Sequence, residues 1–360
     1  MAKITLKGLR HSYMPNPSKP TDYALQQLDV DWEDGGAYAL LGPSGCGKTT
    51  LLNIISGLLT PSHGEILFDG QDVTRMQPDE RHIAQVFQFP VVYDTMTVYD
   101  NLAFPLRNRG VAEAEVDKRV REIAEMIDLT STLDKRASGL TADGKQKISL
   151  GRGLVRTDVN VIMFDEPLTV IDPHLKWQLR SKLKELHQRV RTTMIYVTHD
   201  QTEALTFADK VVVMKDGQVV QIGTPVDLFE RPQHTFVGHF IGSPGMNVLP
   251  CQVKGGKAFY EGIELGSWNA SACKYEEGLE LGVRPEFVKL SDAGVPVEIA
   301  KVSDAGRFQI VHTRKGDHSI KLLVPEGVEI PEKHAHLAFR SDHTQVYRDG
   351  WLVSGDNSHE

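Results

Sequence analysis

Short apolar runs alternate with longer amphipathic stretches through about the first 235 residues of the chain. Residues 37–41 (AYALL), 161–164 (VIMF) and 194–197 (MIYV) are short and uniformly apolar. Such runs are typical of strands that are buried on both faces of a parallel sheet. Helices are predicted over three stretches: 48–58, 113–127 and 177–190. In 113–127 the apolar residues recur at helical spacing. Strands that alternate with helices indicate an α/β fold with a parallel sheet and right-handed crossovers.

Other stretches of this region carry strand signals of a different kind. Ile4, Leu6 and Leu9 alternate with polar neighbours, which predicts an edge strand. Residues 211–214 and 219–222 flank Asp216-Gly217 and predict a hairpin, since this dipeptide suits a tight two-residue turn.

The pattern of apolar and polar residues changes near residues 235–245. Glycine and proline cluster at 242–245, and short alternating stretches follow at 297–302, 309–313 and 320–324. This pattern predicts a small all-β barrel or sandwich. We therefore expect two domains, an α/β domain over residues 1–238 and a β-rich domain over 239–360.

Composition narrows the class of protein. The formal net charge of the 360 residues is -8, which argues against a nucleic-acid partner. Three cysteines without CxxC spacing (Cys46, Cys251, Cys273) do not form a disulfide framework. The first residues lack the apolar core of a signal peptide, and no apolar run reaches the ~18 residues of a membrane span. Work at a membrane would therefore depend on partner chains.

The strongest chemical motif is the octapeptide Gly42-Pro43-Ser44-Gly45-Cys46-Gly47-Lys48-Thr49, which fits the phosphate-binding P-loop pattern. A buried strand precedes it and a helix follows it, as the motif requires. Backbone N–H groups of the loop and the helix N-terminus would bind phosphates. Lys48 would reach the β- and γ-phosphates, and the Thr49 hydroxyl would bind Mg²⁺.

Polar residues follow three further strand-like runs. Asp165 ends the run 161–164, so that its carboxylate lies where parallel sheets bind ligands and where it can hold Mg²⁺. Glu166 comes next and can orient or deprotonate an attacking water. His199 follows the run 194–197, and Gln88 lies in VFQF. Taken alone, His199 could be a satisfied core or capping residue and Gln88 a polar residue at a strand edge.

Taken together, and in this order along the chain, these motifs resemble those of the ATP-binding-cassette (ABC) ATPases over residues 3–235. The resemblance implies a RecA-like core with a helical subdomain at about 91–157. It implies that residues 42–50 of the P-loop region, which end with Thr50, hold ATP. Tyr13 would stack on the adenine, and Tyr23 is the alternative for this role. Gln88 and His199 would act at the γ-phosphate. Gln88 would also contact Mg²⁺. Two such domains would enclose two ATP molecules.

The stretch that corresponds to the family signature departs from the usual Leu-Ser-Gly-Gly-Gln. Here it is Leu140-Thr141-Ala142-Asp143-Gly144. The Thr141 hydroxyl can cap the following helix. The carboxylate of Asp143 would repel the γ-phosphate bound to the partner subunit by ~3 kcal/mol at ~5 Å and an effective dielectric of ~20. Alternatively, Asp143 has no role at the nucleotide and simply stabilises the N-terminus of a helix. Residues 169–172 (TVID) depart as well. We hypothesise an ATPase pair with unequal sites, in which the partner is a homologous second subunit; a second copy of this chain is the alternative.

Residues 282–287 (GVRPEF) resemble the C-terminal barrel motif of carbohydrate-importer ATPases of the maltose type. The segments LTADGKQK, EPLTVIDPH and VFQFPV are similar to the glycerol-uptake branch. This resemblance implies two integral-membrane permease subunits, a solute-binding protein outside the cell, and a peripheral place on the cytoplasmic face of the membrane. Residues 89–93 (FPVVY) would then form either a socket for a permease helix or ordinary core.

The sequence leaves alternatives for the solute and for the class of protein. The alternatives for the transported solute are a maltose-type sugar and glycerol phosphate. A soluble ABC ATPase that acts as a mechanical clamp would usually carry two cassettes or a coiled coil. A P-loop kinase would need an acceptor site, and the signature stretch, Glu166 and His199 argue against it.

Overall fold

A computed structural model describes residues 2–169, 171–254, 257–267 and 278–353. The chain divides into two compact units, Met1–Pro225 and Val226–Glu360. The strands of the first unit are β1 Ile4–His11, β2 Leu25–Trp32, β3 Ala37–Leu41, β4 His63–Phe68, β5 Gln71–Asp72, β6 Ile83–Val86, β7 Val161–Asp165, β8 Thr193–Thr198, β9 Lys210–Lys215 and β10 Gln218–Gly223. Its helices are α1 Lys48–Ser56, α2 Val98–Arg107, α3 Glu113–Met126, α4 Ala142–Leu154, α5 Pro173–Val190 and α6 Gln201–Phe207.

A six-stranded sheet forms the centre of the first unit, in the order β10-β9-β3-β8-β7-β6. Strand β3 runs parallel to β8 and β9, and β7 runs parallel to β6 and β8. Every residue of β3 and β8 is buried, as their continuous apolar runs predict. The carboxyl ends of β3, β6, β7 and β8 therefore meet at one edge of the sheet, where α/β proteins bind ligands.

A second, antiparallel sheet has the order β2-β1-β4-β5. The prediction that the first strand lies at an edge is wrong, because β1 pairs with β2 on one side and with β4 on the other. Alternating apolar residues report which face of a strand is buried. They carry no information on whether its backbone edges are paired, which explains the error.

Helices α2, α3 and α4 follow β6 along the chain and precede β7. The predicted helix 113–127 is observed as α3, with Val116, Val120 and Ile123 fully buried. At Gly151 of α4 a side chain would meet Leu102 and Ile127 at under 3 Å. Glycine at this position therefore permits the close approach of α4 to α2.

The predicted hairpin is present as β9 and β10, joined by Asp216-Gly217. Both turn residues have positive φ, 49° and 77°, as this tight turn requires. The Gly217 N–H donates to the carbonyl of Cys46 at 3.2 Å. The turn therefore contacts the phosphate loop that follows β3.

The second unit is rich in strands, as predicted. Its helices are α7 Pro225–Glu230, which begins at the junction, and α8 Thr235–Phe240. Its strands are β11 Asn247–Lys254, β12 Lys257–Tyr260, β13 Ile263–Ser267, β14 Leu279–Val283, β15 Val288–Ser291, β16 Val295–Asp304, β17 Phe308–Lys315, β18 His318–Pro325, β19 His334–Phe339, β20 Thr344–Arg348 and β21 Trp351–Leu352.

Two antiparallel sheets of the second unit enclose one apolar core. Their orders are β13-β12-β11-β14-β20-β21 and β15-β19-β16-β17-β18. Inward-facing residues of both, among them Leu249, Leu281, Val311, Leu322 and Leu337, pack together. An α/β P-loop domain followed by a small all-β, OB-like domain is therefore confirmed as the fold class.

The boundary between the compact units follows Pro225, whereas the change in residue pattern along the sequence places a domain boundary near 235–245. The buried guanidinium of Arg284 explains the difference. It donates to the carbonyls of Leu228 and Phe229 on α7 and to those of Gly238 and Ile241 at α8. These hydrogen bonds hold both helices against the β-rich unit.

No helix in the described part of the chain is long and apolar enough to cross a bilayer. Cys46 and Cys251 are buried, and Cys273 lies outside the described residues.

Candidate functional site

The P-loop connects β3 to α1, and two of its glycines have backbone reasons to be there. A side chain at Gly42 would lie 2.3 Å from the carbonyl oxygen of Met214. Gly47 has φ +100°, and a side chain there would lie 2.5 Å from the carbonyl oxygen of Ala24. The neighbouring strands thus leave room only for bare backbone, whose N–H groups can then face a phosphate.

Lys48, the first residue of α1, has a buried side chain that is folded back over the loop. Its ammonium donates to the carbonyls of Gly42 at 2.8 Å and Pro43 at 2.9 Å, and lies 3.8 Å from the sulfur of Cys46. The positive charge is therefore held within the loop, against the backbone of Gly42 and Pro43. A triphosphate on the loop would meet this charge together with the N-terminus of α1.

Thr49 and Asp165 come together at the sheet edge. The Thr49 hydroxyl donates to Asp165 Oδ1 at 3.4 Å. Burial, followed by the nearby charge of Glu166, raises the pKa of Asp165, while the Thr49 hydrogen bond and Lys48 oppose the rise. A hydroxyl and a buried carboxylate are hard oxygen ligands, and the set fits Mg²⁺ completed by phosphate oxygens. Among the described residues, no group of three His, Cys, Asp or Glu side chains forms a metal site without phosphate.

Glu166 and His199 face each other across the ends of β7 and β8. Glu166 Oε2 lies 3.1 Å from His199 Nδ1. Glu166 has φ +46°, which is uncommon for a residue with a side chain. Its N–H donates to the carbonyl of Val197, and the Thr169 hydroxyl donates to its backbone carbonyl at 3.0 Å. With this backbone conformation the Glu166 carboxylate contacts His199, whereas the Asp165 carboxylate contacts Thr49.

Tyr13 and Tyr23, the two candidates for adenine stacking, have different surroundings. Tyr13 is 66% exposed, and its hydroxyl lies 3.2 Å from that of Thr50 at the start of α1. The guanidinium of Arg10 lies 3.4 Å from the ring centre of Tyr23. A base can therefore reach the Tyr13 ring beside the P-loop, whereas one face of Tyr23 is already covered.

Gln88 follows β6 by two residues and is half-buried. Strand β6 pairs in parallel with β7, with Val86 opposite Phe164. Gln88 thus leaves the sheet at the same edge as Asp165.

The signature residues lie in the first turn of α4. Thr141 is the N-cap, and its hydroxyl accepts the N–H of Gly144 at 3.3 Å. Asp143 Oδ2 lies 3.9 Å from the ammonium of Lys147, and its Oδ1 is buried without a hydrogen-bond partner in the described chain. Among the described residues, no hydrogen bond or ion pair joins this group to the P-loop of the same chain. Val170, in the other departing stretch, lies outside the described residues.

Three supporting residues were not identified from the sequence: Thr169, which donates to Glu166; Lys147, which faces Asp143; and Gly217, which donates to Cys46. Gly217 carried a turn signal, but nothing in the pattern placed that turn beside the P-loop. The other two have no local signal.

The stretch 89–93 is exposed and is not core. The apolar side chains of Phe89, Val91 and Tyr93 are all exposed to solvent, and Phe89 is 71% exposed. The guanidinium of Arg152 donates to the carbonyl of Val91 at 2.6 Å and covers the Tyr93 ring. Beside them lies an open cavity of about 290 Å³, whose lining includes Phe87, Val91, Phe104, Arg109, Arg152 and Arg156.

Comparisons with known proteins place this site in context. The family profile described as "ABC transporter" matches residues 25–169. The chain is 39% identical over 323 residues to the "sn-glycerol-3-phosphate import ATP-binding protein UgpC" of Bordetella avium (strain 197N), covering 89% of this chain and 88% of the relative. The protein of that name from Burkholderia pseudomallei (strain K96243) is 39% identical over 356 residues, or 94% and 97% of the two chains.

Two solved structures share the fold. CbiO1 from Clostridium perfringens, described as part of the ABC transporter complex cbiONQ, aligns with a TM-score of 0.57 and 28% identity, over 63% of this chain and 90% of its own. The ATP-binding cassette MJ0796, a dimer in a post-hydrolysis state with ADP and Pi, aligns with a TM-score of 0.55 and 26% identity, over 62% and 98%.

Proposed function

The chain belongs to the ATP-binding subunits of the ABC transporter family, and from this premise we propose that it drives the import of glycerol or its phosphate. Its relatives are ATPases of carbohydrate-type importers, and ATP hydrolysis coupled to transport is the activity of the family. The observation that carries the proposed chemistry is the 3.1 Å contact between Glu166 and His199 beside the P-loop and the Thr49–Asp165 pair.

ATP would lie on the P-loop, residues 42–49, with Thr50 at its end. Lys48 and the loop N–H groups would hold the β- and γ-phosphates, and Tyr13 would stack on the adenine. Thr49, Asp165 and Gln88 would hold Mg²⁺, which when bound would neutralise charge on the phosphates. The exposure of Tyr13 and its contact with Thr50 support this placement.

Glu166 would orient the attacking water and accept its proton, while His199 would contact the γ-phosphate and hold the carboxylate in place. The two side chains are within hydrogen-bonding distance, and only Asp165 of the two adjacent acids is beside Thr49. Positioning and charge stabilisation, rather than covalent chemistry, would supply the rate enhancement.

The second half of each site would come from another ATPase subunit. Thr141, Asp143 and Gly144 would face the γ-phosphate held by the partner's P-loop, from a helical subdomain that we place at about residues 91–157. A heterodimer with unequal sites is the arrangement that we favour, because an acid replaces glycine at position 143. The Lys147 ammonium, 3.9 Å away, would offset part of its charge.

One of the two permease subunits would dock on the exposed apolar stretch 89–93 and the adjoining cavity, on the cytoplasmic face of the membrane. Large exposed apolar groups of this kind are typical of interaction sites. A solute-binding protein outside the cell would deliver the solute.

The choice of solute is a separate question from the chemistry. The names of the relatives favour glycerol phosphate, and the segments LTADGKQK and VFQFPV favour glycerol. Uptake of labelled glycerol and of labelled glycerol phosphate should be compared in cells with and without this gene. Loss of one uptake identifies the solute, and unchanged uptake of both would refute a polyol importer.

The catalytic assignment is tested by Glu166→Gln in the assembled transporter. Nucleotide binding should remain, and the hydrolysis rate should fall by roughly 100-fold or more, as for loss of a general base. Glu115→Gln, an exposed acid on α3, is the matched control. Full turnover by Glu166→Gln would refute the proposed role.

A further inference from the structure

Glu203, in the first turn of α6, has a carboxylate that is almost fully buried, since the residue is 4% exposed. The Thr198 hydroxyl donates to its Oε2 at 2.8 Å, and the Tyr196 hydroxyl donates to the same oxygen at 3.2 Å. The Lys176 ammonium lies 3.7 Å from Oε1. A buried charge is tolerated only when it is paired and hydrogen-bonded, so these three contacts hold Glu203 in one position.

The contact with Thr198 leads directly to the hydrolysis site. The same Thr198 hydroxyl that donates to Glu203 accepts the N–H of Asp200 at 3.0 Å. The two residues that flank His199, Thr198 and Asp200, are therefore joined by a hydrogen bond through the Thr198 hydroxyl. Glu203 is therefore connected through this hydroxyl to the backbone on either side of His199.

The contact with Lys176 leads to a second element. Lys176 is in the first turn of α5, and its N–H donates to the carbonyl of Asp172 at 2.9 Å. Asp172 ends the stretch 169–172, which also contains Thr169, the residue that donates to Glu166. Glu203 thus joins the segment that carries His199 to the helix that follows the Glu166 loop.

Tyr196 supplies the third contact from within β8. Burial, followed by the charge of Glu203, raises the pKa of Tyr196 well above its usual value. The phenol therefore remains protonated and donates to the carboxylate across the working pH range.

We propose that Glu203 is a positioning residue for ATP hydrolysis, whose buried carboxylate fixes the backbone of His199 and links it to the start of α5. It acts through Thr198 and Lys176. The inference rests on the proposed role of His199 at the γ-phosphate.

The test uses Glu203→Gln in the purified transporter complex. Glutamine keeps the size and one acceptor but loses the charge that Lys176 and the two hydroxyls surround. The kcat for ATP should fall by about 10-fold or more, whereas KM should stay within about 2-fold because Lys48 and the P-loop are unchanged. The matched control is Glu185→Gln, an exposed acid on α5, which should keep the original kcat.

A double-mutant cycle separates positioning through His199 from a general structural effect. In a His199→Ala background, Glu203→Gln should lower kcat by less than about 2-fold, since the group that it positions is gone. A loss as large as in the parent protein, or an unchanged kcat for Glu203→Gln alone, would overturn the proposal. If His199→Ala itself keeps full activity, the proposed site has failed together with this inference.

Thr198→Val and Lys176→Met repeat the test with Glu203 intact, in case Glu203→Gln does not fold. Each removes one contact with the carboxylate, Thr198→Val also removes the acceptor of the Asp200 N–H, and melting curves report folding. Thr198→Val should reproduce the loss of kcat with an unchanged KM. A folded Thr198→Val variant with the original kcat would contradict the proposal.

Discussion

Asp143 and Lys147 lie one helical turn apart at the start of α4, and their charged atoms are 3.9 Å apart. The sequence shows the acid in the signature and predicts the helix that follows Thr141, but Lys147, four residues further along that helix, was not identified as the counter-charge of Asp143. Asp143 therefore presents a partly neutralised carboxylate rather than a bare one.

Loss of the counter-charge should reduce activity. In Lys147→Met, the Asp143 carboxylate would repel the partner's γ-phosphate, with ~3 kcal/mol as a ceiling at ~5 Å. Since Asp143 is partly exposed, we expect a loss of only about 3–10-fold in ATPase rate. Steady-state ATPase assays of the complex measure it, and Lys145→Met is the control for charge.

Asp143→Gly provides the reciprocal check, because it should restore most of the activity in the Lys147→Met background. An equal loss with glycine or aspartate at position 143 would show that Lys147 acts by packing and not by charge.

Asp165 gives a prediction about pH. Its raised pKa means that the folded protein holds the proton more tightly than the unfolded chain does. Stability contributed by the protonated form is therefore complete below the unfolded pKa of ~3.9 and is lost as pH rises through the folded pKa. Asp165→Asn removes this loss, and in buffer without nucleotide or metal it should melt about 2 °C or more above the parent at pH 7.

Melting curves from pH 4 to pH 7 check both the sign and the window. The difference between Asp165→Asn and the parent should shrink toward pH 4. A variant that is less stable than the parent at pH 7 would contradict the assigned cause, and Asp79→Asn on the surface is the control.

Helices α7 and α8 show how one side chain can organise two elements. Arg284, in the GVRPEF motif, is 3% exposed and donates to four carbonyls at the ends of these helices. Burial lowers the pKa of Arg284 to about 10, so the guanidinium stays charged at neutral pH. The motif therefore has a structural role, as an internal cap for the carbonyls at the ends of α7 and α8; of these, the Gly238 carbonyl also accepts the N–H of Met246 at 3.0 Å.

Arg284→Met should destabilise the second unit by about 3 kcal/mol, because several buried carbonyls lose their donor at once. Urea denaturation followed by circular dichroism measures the change in the full chain. Arg307→Met, an exposed arginine of the same unit, should be near neutral. Equal stability of the two variants would contradict the capping role.

Elements with a local signal were predictable, and elements held by tertiary packing were not. Strands β3, β7 and β8 and helix α3 follow from uninterrupted apolar runs or clean helical spacing. Helix α2 contains Pro105, and α4 contains three glycines, so local preference opposes both. They form because they pack on each other, with Gly151 against Leu102, and a sequence pattern does not contain that contact.

At the scale of the whole molecule, the site was predictable where the chemistry is contiguous along the chain. The P-loop and the Asp165-Glu166 pair are single segments at the ends of predicted strands. Glu203, Lys176 and Gly217 contribute through contacts between distant segments, which only the fold brings together. The stretch 89–93 was left open between two interpretations, and exposure of its aromatic residues decides against core.

Phe89→Asp tests the use of this surface. The side chain is 71% exposed, so the substitution should leave folding and the ATP site intact while weakening the proposed contact with a permease. Uptake should fall by about 10-fold or more while the chain retains ATPase activity, as measured by transport and phosphate release in parallel.

Leu58→Asp, another exposed apolar residue of the first unit, is the matched control and should leave uptake unchanged. Full uptake by Phe89→Asp with a folded complex would place the permease contact elsewhere.

The hydrogen bond from Gly217 to Cys46 ties the nucleotide loop to a turn made about 170 residues later. Strand β3, which precedes the loop, pairs with β8 and β9, and both of these strands also come late in the chain. A ribosome-bound chain that has exposed the octapeptide and its helix thus lacks the scaffold that shapes them. Competence to bind ATP should therefore arise late in translation, abruptly, as the β9–β10 hairpin leaves the exit tunnel.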